Sequence, residues 1–361
     1  MVAFGGQRKI MSITIYPIPR LLATNPYLDL LYAPFAAWPD VQIARQPFAQ
    51  TLRHGLLHGG QRVLHWHFFD ELTQQPNQAA TALRSISFIA LLRLLALREA
   101  KLVWTAHNLE PHELRYPQWA QRCYQAMAQA AGQIIVHSQP AAQLLDQRYQ
   151  VATKTQVIAH GSYIGVYGEA WEQAAARKHL QLTPEGFVAL NLGTLRPYKG
   201  VELLLEAWSA ELGRLLIVGA AKDQRYAEQL QQQATNPSIT LRPQFIADSL
   251  LPAWFAAADV VVLPYRKTLT SGMLLAALSY AAPVVAPDLP PVRELIRDGE
   301  NGFLFEVNNA ASLRAALQRA AAHPDRQALR QNALQTVQAL DWGQIANQTA
   351  AVYRRLFEKP A

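Results

Sequence analysis

Apolar residues recur along the chain in two rhythms that alternate from its start to its end. Short runs of apolar and β-branched residues are followed by longer stretches in which apolar positions return at helical spacing. This alternation is typical of parallel α/β architecture, in which each strand leads into a helix that covers the sheet. At 361 residues the chain is long enough for two such domains.

The pattern predicts two doubly wound sheets joined by a polar, Gln- and Ala-rich linker at residues 168–182. In the first half we expect strands at residues 12–16, 63–67, 102–107, 133–137 and 156–159. Helices are predicted there at residues 26–35, 79–97, 116–130 and 139–147. In the second half we expect strands at residues 187–193, 214–219, 239–242, 260–263 and 284–286. Its helices are predicted at residues 200–210, 226–233, 250–258, 271–281 and 292–297, with a helical tail from residue 309.

Composition excludes several classes of protein. Half of the residues are hydrophobic and 16% are charged, which is too apolar for a disordered chain. The single cysteine excludes a disulfide framework and a cysteine-based zinc site, and it fits a reducing compartment. The most apolar run, residues 86–97, is interrupted by Arg93 and is too short to span a bilayer. No secretory signal is recognisable at the N-terminus, so we expect a cytoplasmic protein.

The net charge of +7 is concentrated in the first half of the chain. Residues 1–165 hold 14 Lys and Arg against 8 Asp and Glu, whereas the remainder holds 19 against 18. This excess predicts an acidic partner, and without a recognisable nucleic-acid-binding motif we expect a membrane surface or a phosphate-bearing acceptor. Residues 83–101 combine many apolar side chains with four cations, Arg84, Arg93, Arg98 and Lys101. Such a helix either lies on an anionic membrane or is a core helix with a thin solvated edge.

Two segments of the second half predict anion-binding chemistry. In residues 191–200, NLGTLRPYKG, a strand ends at Gly193 and the loop before the next helix carries Arg196 and Lys199. Two cations beside a helix N-terminus suit a diphosphate, although surface cations on a loop are the alternative. The segment is not a P-loop, because its order is Lys-Gly and no Ser or Thr follows to hold magnesium. In the second segment, residues 263–287, Ser271 and Gly272 begin a helix that either binds an anion or is simply capped.

In the first half, His107 is predicted at the carboxyl end of a strand, where ligands of such sheets bind. Its imidazole can take a proton from an acceptor hydroxyl or hydrogen-bond a sugar, unless it is a satisfied structural histidine. Glu110 and Glu113 follow closely and could serve instead.

Other histidines of the first half are less specific. His65 and His67 flank Trp66 on one face of a strand, where they pack or form the floor of an acceptor site. No third ligand is recognisable for a metal there. His160, at the end of the last strand of the first sheet, either touches a donor phosphate or forms a turn.

These motifs resemble those of a known family. The RPYKGVE and SG-LL-ALS patterns, with ENGFL at residues 300–304, look like the donor domain of GT-B glycosyltransferases of the family 4 type. NPY at residues 25–27, HWH at 65–67 and TAHNLEPHE at 105–113 extend the resemblance to xanthan-type GDP-mannose:glycolipid β-mannosyltransferases. The resemblance implies two Rossmann-like domains that face a cleft, followed by C-terminal helices.

One departure from the family bears on the donor site. Family 4 enzymes usually carry two Glu residues eight positions apart in the second segment, one of which holds the donor ribose. Thr268 and Ala276 occupy those positions here. The mannosyltransferase-like group also lacks that Glu, and Glu294 or Asp288 is then the candidate for the ribose.

The resemblance implies a glycosyltransferase that moves a hexose, with mannose favoured, from a nucleoside diphosphate sugar to a glycolipid or exopolysaccharide. GDP-mannose is the favoured donor, a UDP-sugar is possible, and the acceptor is lipid-linked or an oligosaccharide. A nucleotide-sugar epimerase and a non-catalytic sugar-binding partner remain as alternatives. We expect no cofactor and no metal requirement, no nucleic acid, and a peripheral location at the inner face of the plasma membrane.

The same resemblance assigns residues to roles. Residues 1–165 are expected to bind the acceptor and residues 166–340 the donor, while residues 341–361 form a helix that packs back on the first domain. The expected catalytic residues are His107, Glu110, Arg196 and Lys199. The expected donor-binding residues are Gly193, Arg196, Lys199, Phe245, Ser271, Gly272, Met273 and Glu294. The expected acceptor-binding residues are Asn25, Tyr27, His65 and Glu113.

Overall fold

The computed structural model describes residues 12–22, 25–56, 60–111 and 113–358, which divide into two compact units. Unit 1 runs up to His160 and also includes the chain from Trp342 onward, whereas unit 2 spans Gly161–Asp341. His112, which belongs to the TAHNLEPHE motif, lies outside the described residues.

Unit 1 is built on a six-stranded sheet whose strands all pair in parallel. Its strands are β1 (Ile13–Ile18), β2 (Val41–Ile43), β3 (Gln61–Trp66), β4 (Lys101–Thr105), β5 (Gln133–Val136) and β6 (Thr155–Val157). The helices between them are α1 (Tyr27–Tyr32), α2 (Phe48–Leu56), α3 (Gln78–Leu97), α4 (Pro117–Ala130) and α5 (Gln139–Tyr149). The strand order is β2-β1-β3-β4-β5-β6. The chain adds β2 on one side of β1 and then continues with β3 on the other side, as in doubly wound sheets.

Unit 2 repeats this plan with a second parallel six-stranded sheet, ordered β12-β11-β10-β7-β8-β9. Its strands are β7 (Val188–Leu192), β8 (Arg214–Val218), β9 (Ile239–Arg242), β10 (Val260–Val262), β11 (Val284–Pro287) and β12 (Gly302–Phe305). Its helices are α6 (Gln173–His179), α7 (Val201–Ala207), α8 (Gln224–Gln233), α9 (Leu251–Ala257), α10 (Gly272–Ser279), α11 (Pro290–Arg293), α12 (Ala310–Ala321) and α13 (Arg326–Gln338). The fully buried β7 and β10 are apolar except for Asn191, as expected where helices cover both faces of a parallel sheet.

The last helix, α14 (Trp342–Arg355), belongs to unit 1 although it follows unit 2 in the chain. Its buried residues Ile345, Ala350 and Tyr353 join the hydrophobic core that contains Leu28 and Leu31 of α1. Unit 1 is therefore assembled from two separate stretches of sequence.

The long helix α3 packs one face into unit 1 and has an apolar outer surface. By length and composition alone it could cross a bilayer. Phe88 and Leu92 are buried within unit 1, where the helix packs along α4. On its outer side Leu83 is 68% exposed and Leu97 is 82% exposed.

Several elements were not predicted or lie elsewhere. The three-residue β2 and the following α2 were missed, since so short an edge strand offers no recognisable alternation. The strand β12 was also missed, because it opens with Gly302, which favours loops in sequence. A Cβ at that position would lie 2.6 Å from the Val284 carbonyl oxygen, so glycine lets the two strands approach. The helix predicted at residues 292–297 is wrong in its bounds, because α11 starts at Pro290 and ends at Arg293.

Candidate active site

The carboxyl end of β7 in unit 2 brings the two predicted anion-binding segments together. Gly193 follows the strand with a φ of +121°. A Cβ there would lie 2.9 Å from Nζ of Lys199 and 3.5 Å from Cε of Met273. The positive φ favours glycine, and without a side chain at this position the lysine amine can lie beside the backbone.

The buried amine of Lys199 is suited to binding an anion. Burial, and after it the positive charge of Arg196, lower the pKa of its amine to about 8. The amine lies 5.9 Å from the ring centroid of Tyr265. A bound diphosphate would favour the protonated amine and offset the cost of its desolvation.

The first turn of α10 combines a side-chain cap with a glycine. The hydroxyl of Ser271 caps the helix by accepting a hydrogen bond from the Leu274 amide at 3.1 Å. Gly272 is the first residue of the helix, and a Cβ there would lie 3.2 Å from the Tyr163 hydroxyl. The first amides of a helix lack partners within the helix and point outward with a partial positive charge.

Other residues expected to bind the donor lie around the same edge of the sheet but not beside Lys199. Phe245 follows the edge strand β9 and is 68% exposed. Glu294 follows α11 and is exposed, whereas Asp288 is held by two hydrogen bonds from Arg293, which lower the pKa of its carboxyl group. Thr268 donates its hydroxyl to the Thr270 carbonyl oxygen at 3.1 Å, within its own loop.

Four histidines follow four consecutive strands of the unit 1 sheet at their carboxyl ends. They are His67 after β3, His107 after β4, His137 after β5 and His160 after β6. Neighbouring rings are 5.7, 5.1 and 5.4 Å apart between centroids. Together with His65, which lies inside β3, they form what we call the histidine cluster.

Tyr27 lies at the centre of the histidine cluster. Its ring is 4.9 Å from that of His107, 5.0 Å from that of His160 and 5.6 Å from that of Trp342. The Tyr27 amide donates to Oδ1 of Asn25 at 2.9 Å, so Asn25 fixes the start of α1. The structure thus brings two of the expected acceptor residues together with His107.

The imidazole of His107 is held in place and kept neutral. It stacks on Phe68 with 4.4 Å between centroids and 10° between planes. Its pKa lies well below the ordinary value, first because of burial and then because His137, His67 and His160 would repel its charge. A neutral imidazole at this position can accept a proton.

Two of the expected site residues of unit 1 contact other side chains of that unit. His65 is fully buried and lies 2.8 Å from the Thr105 hydroxyl. Glu110 accepts hydrogen bonds from both terminal nitrogens of Arg148 at 3.2 Å, so its carboxylate is paired with that side chain. Glu113 is an exposed residue of the loop before α4.

His137 and Trp342 were not predicted as site residues, and two roles were left open for His160. The signal was present, because a histidine at the end of each of four successive predicted strands places four imidazoles along one edge of a sheet. Among the described residues, no group of three or more His, Cys, Asp or Glu side chains is arranged to hold a metal ion.

Comparisons with known proteins define the class of this protein. Residues 186–323 match the family model of the glycosyl transferases group 1, and residues 47–162 match that of glycosyltransferase family 4. The chain belongs to the family 4-type glycosyltransferases with the GT-B fold, and it is an enzyme that uses a nucleotide sugar. This class excludes the epimerase and the non-catalytic partner that the sequence had left open.

Two glycosyltransferases of known activity are similar to this chain in sequence. The chain is 30% identical to the GDP-mannose:glycolipid 4-beta-D-mannosyltransferase of Xanthomonas campestris pv. campestris, over 73% of this chain and 70% of that protein. It is 26% identical to a D-inositol 3-phosphate glycosyltransferase of Streptomyces bingchenggensis, over 62% of this chain and 53% of the other.

Solved structures share the fold. The Anabaena protein HepE in complex with UDP superimposes with a TM-score of 0.72 at 19% identity, over 96% of this chain and all of the other. The sucrose-phosphate synthase of Thermosynechococcus elongatus gives a TM-score of 0.70 at 18% identity, covering 96% and 99% of the two chains. The predicted GT-B fold with two Rossmann-like domains is confirmed.

Proposed function

We propose that this enzyme transfers mannose from GDP-mannose to a hydroxyl of a lipid-linked glycan during exopolysaccharide synthesis. The relative at 30% identity is a GDP-mannose:glycolipid 4-beta-D-mannosyltransferase, and that similarity supports the choice of donor and acceptor class. The observation that carries the mechanism is the desolvated amine of Lys199, which lies against Gly193 and the first turn of α10.

In this proposal unit 2 binds the donor. Lys199 and Arg196 contact the diphosphate, together with the amides of Gly272 and Met273 at the start of α10. As the bond between sugar and diphosphate breaks, these groups neutralise the charge that grows on the departing phosphate oxygen. No metal ion is required in this arrangement, so turnover is expected to persist in EDTA.

The nucleoside is proposed to lie farther along the same edge of the sheet. The exposed ring of Phe245 offers a surface on which a base can stack. Glu294, which follows α11 and is exposed, is proposed to contact the ribose hydroxyls.

Unit 1 is proposed to bind the acceptor, with Tyr27 and Asn25 on its floor and His107 as the general base. His107 takes the proton of the acceptor hydroxyl while the oxygen of that hydroxyl attacks the anomeric carbon. A base of this kind is needed if configuration inverts, as expected when GDP-α-mannose gives the β-linkage named for the relative.

A panel of GDP-, UDP- and dTDP-sugars tests the donor. GDP-mannose should raise the midpoint of thermal unfolding and give a β-mannosylated glycolipid, because a ligand that binds only the native state stabilises it. Stabilisation by UDP-glucose but not by GDP-mannose would overturn the choice of sugar. Lys199→Ala should remain folded and lose turnover, and full activity in that variant would overturn the diphosphate site.

We also propose that the outer surface of α3 and α4 attaches the enzyme to the cytoplasmic face of an anionic membrane. Neither helix contains an acidic residue. Between them lies a groove of about 680 Å³ with Arg93 and Arg122 in its lining, beside the exposed Leu83, Ile86 and Leu97. Apolar side chains with cations at their margin suit a surface of acidic lipids.

Co-sedimentation with lipid vesicles tests this surface. Binding is expected to vesicles that contain phosphatidylglycerol, to weaken in salt, and to be lost in the Leu83→Glu/Leu97→Glu variant. Leu250→Glu, which places the same charge at a partly exposed leucine of unit 2, should bind as the unaltered protein does. Equal binding to neutral vesicles at all salt concentrations would contradict the proposal.

A further inference from the structure

A continuous series of buried hydrogen-bonding groups runs from His107 into the core of unit 1. Nε2 of His107 lies 3.5 Å from Nδ1 of His67, and Nε2 of His67 lies 2.8 Å from the hydroxyl of Tyr32. That hydroxyl lies 2.7 Å from Nδ1 of His65, whose Nε2 lies 2.8 Å from the Thr105 hydroxyl. The first link is long, as hydrogen bonds of catalytic groups often are before substrate binds.

Every imidazole in this series has one donor and one acceptor nitrogen. Burial lowers the pKa of His65 to about 3, and both burial and neighbouring histidines hold the pKa of His67 well below its usual range. A neutral imidazole that donates from one nitrogen accepts at the other, whereas a hydroxyl donates once and can accept more than once. The position of the proton on His67 therefore fixes the tautomer of His107.

Two orientations of the outer links exist. If the Tyr32 hydroxyl accepts from Nε2 of His67, while its own proton goes to His65 or to Tyr353, the bare Nδ1 of His67 accepts from Nε2 of His107. The proton of His107 is then on Nε2, and its Nδ1 carries a lone pair. If Tyr32 donates to His67 instead, the series reverses and His107 carries its proton on Nδ1, where it cannot act as a base.

We infer that Tyr32 and His67 are positioning residues that hold His107 in the tautomer with an unprotonated Nδ1, ready to take the proton of the acceptor. This rests on the proposed role of His107 as general base. Among the described residues, the contact with His67 is the single hydrogen bond that His107 makes, so Nδ1 has no competing partner there. A buried group that fixes the tautomer of a catalytic histidine contributes to rate without touching substrate.

The proton is accounted for at each step. The acceptor hydroxyl gives its proton to Nδ1 of His107, its oxygen forms the new glycosidic bond, and the bond from sugar to diphosphate breaks with its electrons on the leaving oxygen. His107 becomes an imidazolium that still donates from Nε2 to His67. The inward series keeps its protons and has only an orienting role.

The chain offers a closely matched control. Tyr353 of α14 also lies against Nδ1 of His65, at 2.6 Å, and like Tyr32 it is buried. Tyr32→Phe and Tyr353→Phe each remove one buried hydroxyl from the same nitrogen of His65. Only the Tyr32 hydroxyl also contacts His67, so only its removal breaks the series that leads to His107.

Steady-state kinetics of the two full-length variants test the inference. Tyr32→Phe should lower kcat by about tenfold or more, within the roughly 10²–10⁴-fold that a general base contributes, with KM nearly unchanged. Tyr353→Phe should keep the kcat of the unaltered enzyme. Equal losses in the two variants would overturn the inference, because a merely structural hydroxyl predicts that result.

Nitrogen NMR of ¹⁵N-histidine-labelled protein provides a test that needs neither activity nor folding of a variant. In the unaltered enzyme, the resonances of His107 should show an unprotonated Nδ1 and a protonated Nε2. A proton on Nδ1 would overturn the inference. If His107→Asn retains full turnover while the tautomer is as expected, the proposed general base fails and the positioning of His107 by Tyr32 and His67 does not.

Discussion

At the scale of single residues, the proposed donor site of unit 2 and the histidine cluster of unit 1 differ in the charge of their key groups. Lys199 is a partly desolvated cation whose pKa is lowered to about 8, chiefly by burial. His107 is kept neutral by burial and by the surrounding imidazoles. A bound anion would stabilise the charged form of Lys199, and the neutral His107 can accept a proton. The proposed donor binding and acceptor activation require these two properties.

Donor affinity should fall above about pH 8. The amine of Lys199 is charged below its pKa and loses its proton as the pH rises through that value, so the attraction for the diphosphate is lost on the alkaline side. The dissociation constant for GDP should rise by up to about tenfold per pH unit there. Isothermal titration between pH 6 and pH 10 measures this, and Lys199→Arg, which stays charged, should remove the pH dependence.

The acidic limb of kcat/KM should lie below pH 6.5, the ordinary value for histidine. The groups that face His107 are His67, His137, His160 and Tyr27, and none of these carries a negative charge that would favour the imidazolium. The neutral base therefore persists to lower pH. A pH–rate profile with an acidic limb near or above pH 7 would contradict the role of His107.

At the scale of elements, glycine determines how closely strands and loops approach at the donor site. Gly200 ends the cation-bearing loop with a φ of +67°, and a Cβ there would lie 2.1 Å from the Pro264 carbonyl oxygen. Gly165 has a similar φ of +73° but open space around it. Comparing an alanine substitution at Gly165 with one at Gly200 therefore separates the free-energy cost of the backbone conformation from that of a steric clash.

Gly200→Ala should destabilise the protein more than Gly165→Ala. The left-handed conformation alone costs an L-residue about 1–2 kcal/mol, which both variants incur. Only Gly200→Ala must also displace backbone after β10, where the second anion-binding segment begins. Urea denaturation monitored by circular dichroism gives both free energies of unfolding, and equal losses would show that the backbone at Pro264 yields freely.

Much of the fold follows from the alternation of apolar runs and amphipathic stretches. β7 and β10 are apolar except for Asn191, and Ser138 and Asp325 each cap the helix that follows. Arg196 and Lys199 could also be predicted as an anion-binding pair, because both lie in the loop between a strand and the next helix. What the sequence did not reveal depends on distant contacts. The pairing of Glu110 with Arg148 and the burial of His65 under Tyr353 join residues that no local pattern connects.

At the scale of the whole molecule, unit 1 depends on a helix that is far away in the sequence. Ile345 of α14 is buried in the core that also holds α1. Ile345→Ala should cost about 2–5 kcal/mol, since it leaves a cavity in that core. Hydrogen exchange should show faster exchange of the amides of α1 and α14, whereas Gln348→Ala, on the exposed side of α14, should leave both unchanged.

The placement of α14 also bears on the order in which the protein is made. Unit 2 is one uninterrupted stretch, Gly161–Asp341, and can fold as soon as it has left the ribosome. The strands of unit 1 emerge first, yet their core stays incomplete until α14 follows, an interval of about 10–40 s at bacterial rates of elongation. During that interval the nascent chain exposes apolar surface, so the half proposed to bind the acceptor is the last to mature and the most dependent on chaperones.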